Sequence, residues 1–251
     1  MIKTPAQIAV MREAGRLLGQ VFSMLDSRVG AGQSTLELDA AVEAFIRNDL
    51  QARPASLGQY DYPFSINTSI NEVVCHGMPS AKDVLKDGDI VNIDITLEKG
   101  GFIADSSKMY MIGTVAPKAR RLVEQTFEAM WAGIRQVRPG ARLGDIGHAI
   151  QSHAQANGYS VVREYCGHGI GREMHEEPQI LHFGRPGTGL TLREGMVFTI
   201  EPMLNQGSAK VRSLKDGWTV VTRDNSLSAQ WEHTVAVTAD GFEVLTLQAN
   251  A

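Results

Sequence analysis

Four carboxylates that interrupt apolar, strand-like runs constrain the fold of this chain more than any other feature of its sequence. In Ile90-Val91-Asn92-Ile93-Asp94-Ile95-Thr96-Leu97 the strand period of two puts Val91, Ile93, Ile95 and Leu97 on one face and Asn92, Asp94 and Thr96 on the other. The apolar face must meet helices. If Lys99-Gly100 makes the turn into the next strand, Asp94 lies directly opposite Asp105 with Cβ atoms about 5 Å apart, and the pair needs a shared proton or a cation between them. A register slip or a bulge would separate the two, so the hairpin alone leaves both readings open. Glu201 ends the run Met196-Val197-Phe198-Thr199-Ile200, and Glu232 lies inside Ala229 to Val237, each in what reads as a half-buried strand. A buried glutamate must be paired, protonated or bound to metal, although edge-strand exposure would explain either one alone.

A histidine joins the acids. His168 stands between Gly167 and Gly169, where the missing side chains let backbone and ligand approach closely, and His175 follows before Glu176-Glu177-Pro178. The segment is no phosphate loop, since it lacks the terminal Gly-Lys-Ser/Thr. His148, His153, His182 and His233 read as ordinary polar residues. Two Asp, two Glu and one His form a hard, oxygen-rich donor set that suits Mn(II), Fe(II) or Co(II) better than a sulfur-rich structural zinc site. Four carboxylates also supply the charge to hold two divalent ions.

The scaffold is periodic on a larger scale. Thr4-Pro5-Ala6-Gln7 is a capping-box start for a helix to about Arg28, with Ile8, Met11, Gly15, Leu18, Phe22 and Leu25 on one face. Ser34-Thr35-Leu36-Glu37 starts a second helix that ends before Pro54, and a β-rich stretch follows from about Ser65 to Gly113. The order then restarts, with helices from Lys118 to about Val137 and from Leu143 to Asn157 and strand-like runs beyond. Val29-Gly30-Ala31-Gly32 followed by Glu37-Leu38 aligns with Val137-Arg138-Pro139-Gly140 followed by Asp145-Ile146 at a constant offset. These features predict one α+β domain over 1–251 with pseudo-repeat halves at about 1–113 and 117–251, a pseudo-two-fold central antiparallel sheet, outer helices, and a site between the halves.

Composition removes several classes. Of 251 residues, 24 are Lys or Arg and 28 Asp or Glu, a net charge of −4 with no long block of either sign, so no nucleic-acid partner is indicated. The N-terminus lacks a signal-peptide core and no run approaches a spanning helix, which predicts a cytoplasmic chain without membrane contact. Cys75 and Cys166 are too few for a disulfide scaffold and read as reduced thiols.

Asn71-Glu72-Val73-Val74-Cys75-His76-Gly77, Asp87 to Asp94, Asp105 with Ser106-Ser107-Lys108-Met109, Glu164 to Gly171, His175-Glu176-Glu177-Pro178, Thr199-Ile200-Glu201-Pro202 and Ser226 to Thr234 closely resemble the type I methionine aminopeptidases over nearly the whole chain. The resemblance implies the pita-bread fold, two divalent ions (Mn, Fe or Co), and removal of the initiator methionine from peptides and nascent chains. By position it implies that Asp94 chelates one metal, Asp105 and Glu232 bridge both, and His168 and Glu201 complete the other shell. His76 and His175 match substrate-facing histidines, with Glu201 as proton shuttle, and Tyr62 and Trp218 match aromatic walls of the methionine pocket. The interval from His168 to Glu201 leaves no room for the helical insertion of type II relatives, and no Cys/His-rich N-terminal extension is present. The short bacterial form is therefore expected, as a monomer with at most a transient ribosome contact. Prolidase and aminopeptidase P relatives share the metal set but carry an additional N-terminal domain.

This sequence departs from the pattern in the pocket. Ser56 and Asn67 stand where many bacterial relatives have cysteine, Gln59 where an aromatic is common and Met174 where phenylalanine is common, while Ala104 replaces a frequent glycine. These departures leave two rival readings beside initiator-methionine removal. One is a pita-bread aminopeptidase with altered first-residue preference, and the other is a non-catalytic peptide-binding module, against which the complete donor set argues.

Overall fold

The computed structural model describes residues 2–248. Two helices, α1 (Pro5–Asp26) and α2 (Thr35–Ala44), precede strands β1 (Ile66–Ile70), β2 (Val73–Cys75), β3 (Ile90–Lys99) and β4 (Phe102–Met111). Helices α3 (Pro117–Ile134) and α4 (Leu143–Ala156) follow, then β5 (Gly167–Gly169), β6 (Glu176–Ile180), β7 (Val197–Ile200), β8 (Met203–Asn205), β9 (Ser228–Gln230), β10 (His233–Val237) and β11 (Phe242–Val244). The predicted order of helix pair and strands therefore recurs, with helix ends within a few residues of those expected. Both predicted capping boxes form: Thr4 with Gln7 starts α1, and Ser34 with Glu37 starts α2. A short π-helical turn, Phe45–Asp49, extends α2 before the break at Pro54.

The period-two pattern of β3 has the consequence its sequence implies. Val91, Ile93, Ile95 and Leu97 are fully buried against Leu18, Val21, Phe22 and Leu25 of α1 and Leu38 and Val42 of α2. Of the α1 stripe only Ile8 stays half-exposed, near the helix start. A second core packs α3 and α4, through Leu122, Met130, Ile146 and Ile150, on Phe198, Ile200 and Val235 of the other sheet. Burying each such side chain contributes about 1.5–3 kcal/mol, so helices cover the apolar faces and leave the polar faces toward the centre.

In one sheet β3 pairs with β4 on one side and β1 on the other; in the other sheet the order is β11-β10-β7-β5-β6, all antiparallel. A bridge between Ser107 of β4 and Glu232, in the kink between β9 and β10, joins the two sheets. This is the pita-bread arrangement of antiparallel sheet and outer helices. Among the described residues no helix is long and apolar enough to cross a membrane.

Candidate metal centre

The hairpin that places the first two acids departs from the expected register. Gly100-Gly101, not Lys99-Gly100, makes the turn, and both glycines adopt left-handed φ of 63° and 79°, the combination a two-residue type I′ turn requires. Asp94 is consequently opposite Ser107, and Asp105 opposite Thr96. Because the shift is two residues, side-chain parity is preserved: Asp94 and Asp105 share the inward face as diagonal neighbours. Their side chains still hydrogen-bond each other, which requires a proton between them when no cation is present.

His168 reaches the same space from the second sheet. A Cβ on Gly167 would lie 2.4 Å from the Thr199 carbonyl oxygen and one on Gly169 2.1 Å from that of Glu177, so only glycine on both sides lets β5 slot between β6 and β7. The His168 Nδ1–H donates to the Gly169 carbonyl at 3.0 Å, which leaves Nε2 as a free acceptor. Nε2 lies 3.5 Å from Glu201 Oε1 and 3.7 Å from Asp105 Oδ2. Glu201 sits just past the end of β7, and Glu232 occupies the kink between strands where a strand interior was expected. One ligand atom each from Asp105, His168 and Glu232 lies within 4.8 Å of the others.

All five donors line a single cavity of about 510 Å³, together with His76, His175, Tyr62 and Trp218 and the pocket positions Ser56, Gln59, Asn67 and Met174. The Tyr62 hydroxyl donates to the Ile66 carbonyl at 2.9 Å, and its ring meets Trp218 edge-on at 4.9 Å, forming an apolar wall. His175 packs against His168 with ring centroids 4.4 Å apart, and His76 meets Tyr165 edge-on at 5.5 Å.

Several contributors were not legible beforehand. The Thr199 hydroxyl donates to Glu201 Oε1 at 2.8 Å and accepts the His168 N–H at 2.9 Å, so one side chain orients two donors. Its position two residues before Glu201 on one strand face was the available signal. Gln230 donates to Glu201 Oε2 at 3.3 Å, and the Glu201 N–H donates to Nε2 of buried His182, giving that histidine the structural role expected of it. Tyr60 stacks on His175 at 5.9 Å and 16°, its hydroxyl 3.4 Å from Nδ1, from a turn in which Tyr60 and Asp61 have φ of 49° and 66°. Such left-handed non-glycine residues carry no clear sequence signature.

The electrostatics suit a cation. Burial raises Asp94 to about 7 and Glu201 to about 8, and burial with the neighbouring carboxylates pushes Asp105 and Glu232 well above the usual carboxylate range. Burial also lowers His168 to about 4, leaving it neutral as a ligand must be. Asp105 Oδ1 is buried with no hydrogen-bond partner among the described residues. Excess anionic demand, a neutral imidazole acceptor and an orphaned carboxylate oxygen fit divalent metal.

The raised carboxyls give a signed expectation for metal-free protein. An acid with a folded pKa above its unfolded value of about 4 contributes stability below that value and loses it as pH rises through the folded pKa. Chelated protein should therefore lose roughly 5 °C or more of Tm between pH 5 and pH 8, a window that ends near the Glu201 value of about 8. Metal-loaded protein should lose less, because its ligands are already ionised. Calorimetric scans of both forms across this range check the sign, and a chelated Tm that rises from pH 5 to 8 contradicts it.

The family model for metallopeptidase family M24 matches residues 9–239. A methionine aminopeptidase of Escherichia coli K12 is 53% identical over 247 residues, covering 98% of this chain and 94% of that protein. The crystal structure of methionine aminopeptidase from Rickettsia prowazekii superposes with a TM-score of 0.96 at 52% identity, covering 98% of this chain and 99% of that one. One from Thermotoga maritima gives 0.96 at 38% identity over 99% of each chain. A prolidase from Pyrococcus horikoshii shares the fold at 21% identity and TM-score 0.77, but only 64% of its length is matched.

Proposed function

The chain belongs to metallopeptidase family M24, and from that premise we propose that it is a methionine aminopeptidase that removes the first methionine from peptides and new polypeptides at a centre holding two divalent ions, Mn(II), Fe(II) or Co(II). The observation that carries this reading is the convergence of Asp94, Asp105, His168, Glu201 and Glu232 on one cavity beside an aromatic-walled recess. Asp94 would ligate one ion, His168 and Glu201 the other, and Asp105 and Glu232 would contribute to both. When bound, the ions supply Lewis acidity that polarises the scissile carbonyl and acidifies the attacking water.

The remaining steps fall to the chain's own residues. His76 is lowered to about 4, by burial first and His175 second, and burial lowers His175 as well, so both are neutral N–H donors near pH 7. They are placed to hold the substrate carbonyl and the oxyanion that develops from it. Glu201 accepts the proton of the attacking water and passes it to the leaving amine, with Thr199 fixing one of its oxygens. Tyr62 and Trp218 receive the first side chain. The crowd of carboxylates favours a free α-amine nearby, which limits the reaction to the first residue.

With this reading go a cytoplasmic location, a monomer organised as one domain with two related halves, and a transient ribosome contact. Its test is hydrolysis of an X-Gly-Met-Met panel by metal-reconstituted protein. Methionine-first peptide should be cleaved fastest, releasing one residue, and N-acetylation should block cleavage. Equal turnover of acetylated peptide, or preference for X-Pro bonds, overturns the assignment.

A further inference from the structure

The side-chain end of the cavity holds more hydrogen-bonding capacity than a thioether can use. Asn67, on β1 directly across from Asp94, lines the cavity, and its carboxamide bonds to none of the described residues. The Gln59 carboxamide, which lines the same cavity, is equally unpaired among them. The Ser56 and Thr96 hydroxyls are 2.7 Å apart, so each such pair uses one O–H and leaves the other to spare. Tyr62 and Trp218 line the same cavity with an edge-on pair of aromatic rings.

A methionine thioether seated here strips water from the two carboxamides and returns almost nothing, because sulfur is a weak acceptor. An unpaired polar group costs more than a paired one gains, so the sign turns on whether the incoming side chain carries an acceptor. Methionine sulfoxide has the same chain length and places a strongly polar oxygen on the sulfur. Resting on the reading of the site as an N-terminal-methionine peptidase, we propose that this pocket accepts peptides whose first residue is methionine sulfoxide, the sulfoxide oxygen accepting from the Asn67 or Gln59 amide. The bond chemistry is that of the methionine substrate. Water adds across the first peptide bond, free methionine sulfoxide and the shortened peptide leave, and sulfur keeps its oxidation state.

The test compares kcat/KM of the metal-reconstituted full chain on Met-Ala-Ser, on both sulfur epimers of the sulfoxide peptide, and on norleucine-Ala-Ser as an apolar control. At least one epimer is expected within about tenfold of the methionine peptide and above norleucine, since a site with unpaired donors discriminates strongly against side chains that leave them unpaired. Asn67→Leu should shift the ratio about tenfold or more toward methionine, chiefly through KM for the sulfoxide. Gln59→Leu and the double variant carry the same comparison, and a ratio unchanged in the folded double variant, or in both folded single variants, overturns the donor assignment. Ready cleavage of Met-Ala-Ser with both epimers untouched overturns this proposal and leaves the methionine reading standing. Failure to cleave any of the peptides overturns both.

Discussion

Exhaustive chelation at pH 7.5 is expected to abolish peptide hydrolysis and to lower Tm by about 10 °C, with both restored by Mn(II), Co(II) or Fe(II). The reasoning is mass action. Metal present at a thousand times its dissociation constant stabilises the native state by about 4 kcal/mol, and each kcal/mol moves Tm by about 2–4 °C in a chain of this size. Removing it also leaves Asp94, Asp105, Glu201 and Glu232 crowded on one cavity, where neutrality must come from protons. Turnover and Tm measured before chelation, after it, and after readdition decide the matter. If neither changes, the acids are a structural network and the metal-dependent reading of this cavity fails.

Asp105→Ala and Glu232→Ala are expected to reduce activity to background and metal content below that of the parent, while His175→Ala keeps its metal and loses roughly a hundredfold to a thousandfold in kcat. The physical distinction is between a donor that holds the ion and one that meets charge developing on the substrate. A stability signature separates the two classes further. Deleting either acid relieves repulsion in the metal-free cavity, so chelated Asp105→Ala should melt above chelated parent protein, whereas loaded it should melt below loaded parent protein. Elemental analysis with paired melting scans reads both. Loss of metal from folded His175→Ala would place His175 among the ligands instead.

The β3–β4 hairpin separates what alternation dictates from what strand pairing dictates. Which face of β3 carries Asp94 followed from alternation alone, because a strand exposes successive side chains to opposite sides regardless of its partner. Which residue stands across from Asp94 did not follow, since Lys99-Gly100 and Gly100-Gly101 both offer glycine for a turn. The choice went to the pair in which both residues are glycine, as two consecutive left-handed φ values demand. A two-residue slip preserves parity, so both acids face inward in either register.

Glu232 reads from sequence as a strand residue but lies in a kink, because its flanking residues 228–237 pass from one sheet to the other, a change of partner that no local pattern encodes. Tyr60 is the opposite case. Its ring reaches His175 only through a turn of two left-handed residues, and neither the sequence around Gln59 nor that around His175 announces the other.

The elements and the chemistry are legible along the chain: capped helix pairs, alternating strands, five donors of the right type, and a resemblance that runs its whole length. These are local or compositional properties, set by backbone sterics, hydrophobic period and side-chain functional groups. That Asp105, His168 and Glu232 come close enough to serve one ion, that Thr199 orients His168 and Glu201 together, and that the Asn67 amide lines the cavity unpaired among the described residues are properties of the folded chain alone. Those facts depend on contacts between residues far apart along the chain. Such contacts are fixed when the two sheets bury their apolar faces under separate helix pairs and turn their polar faces toward each other.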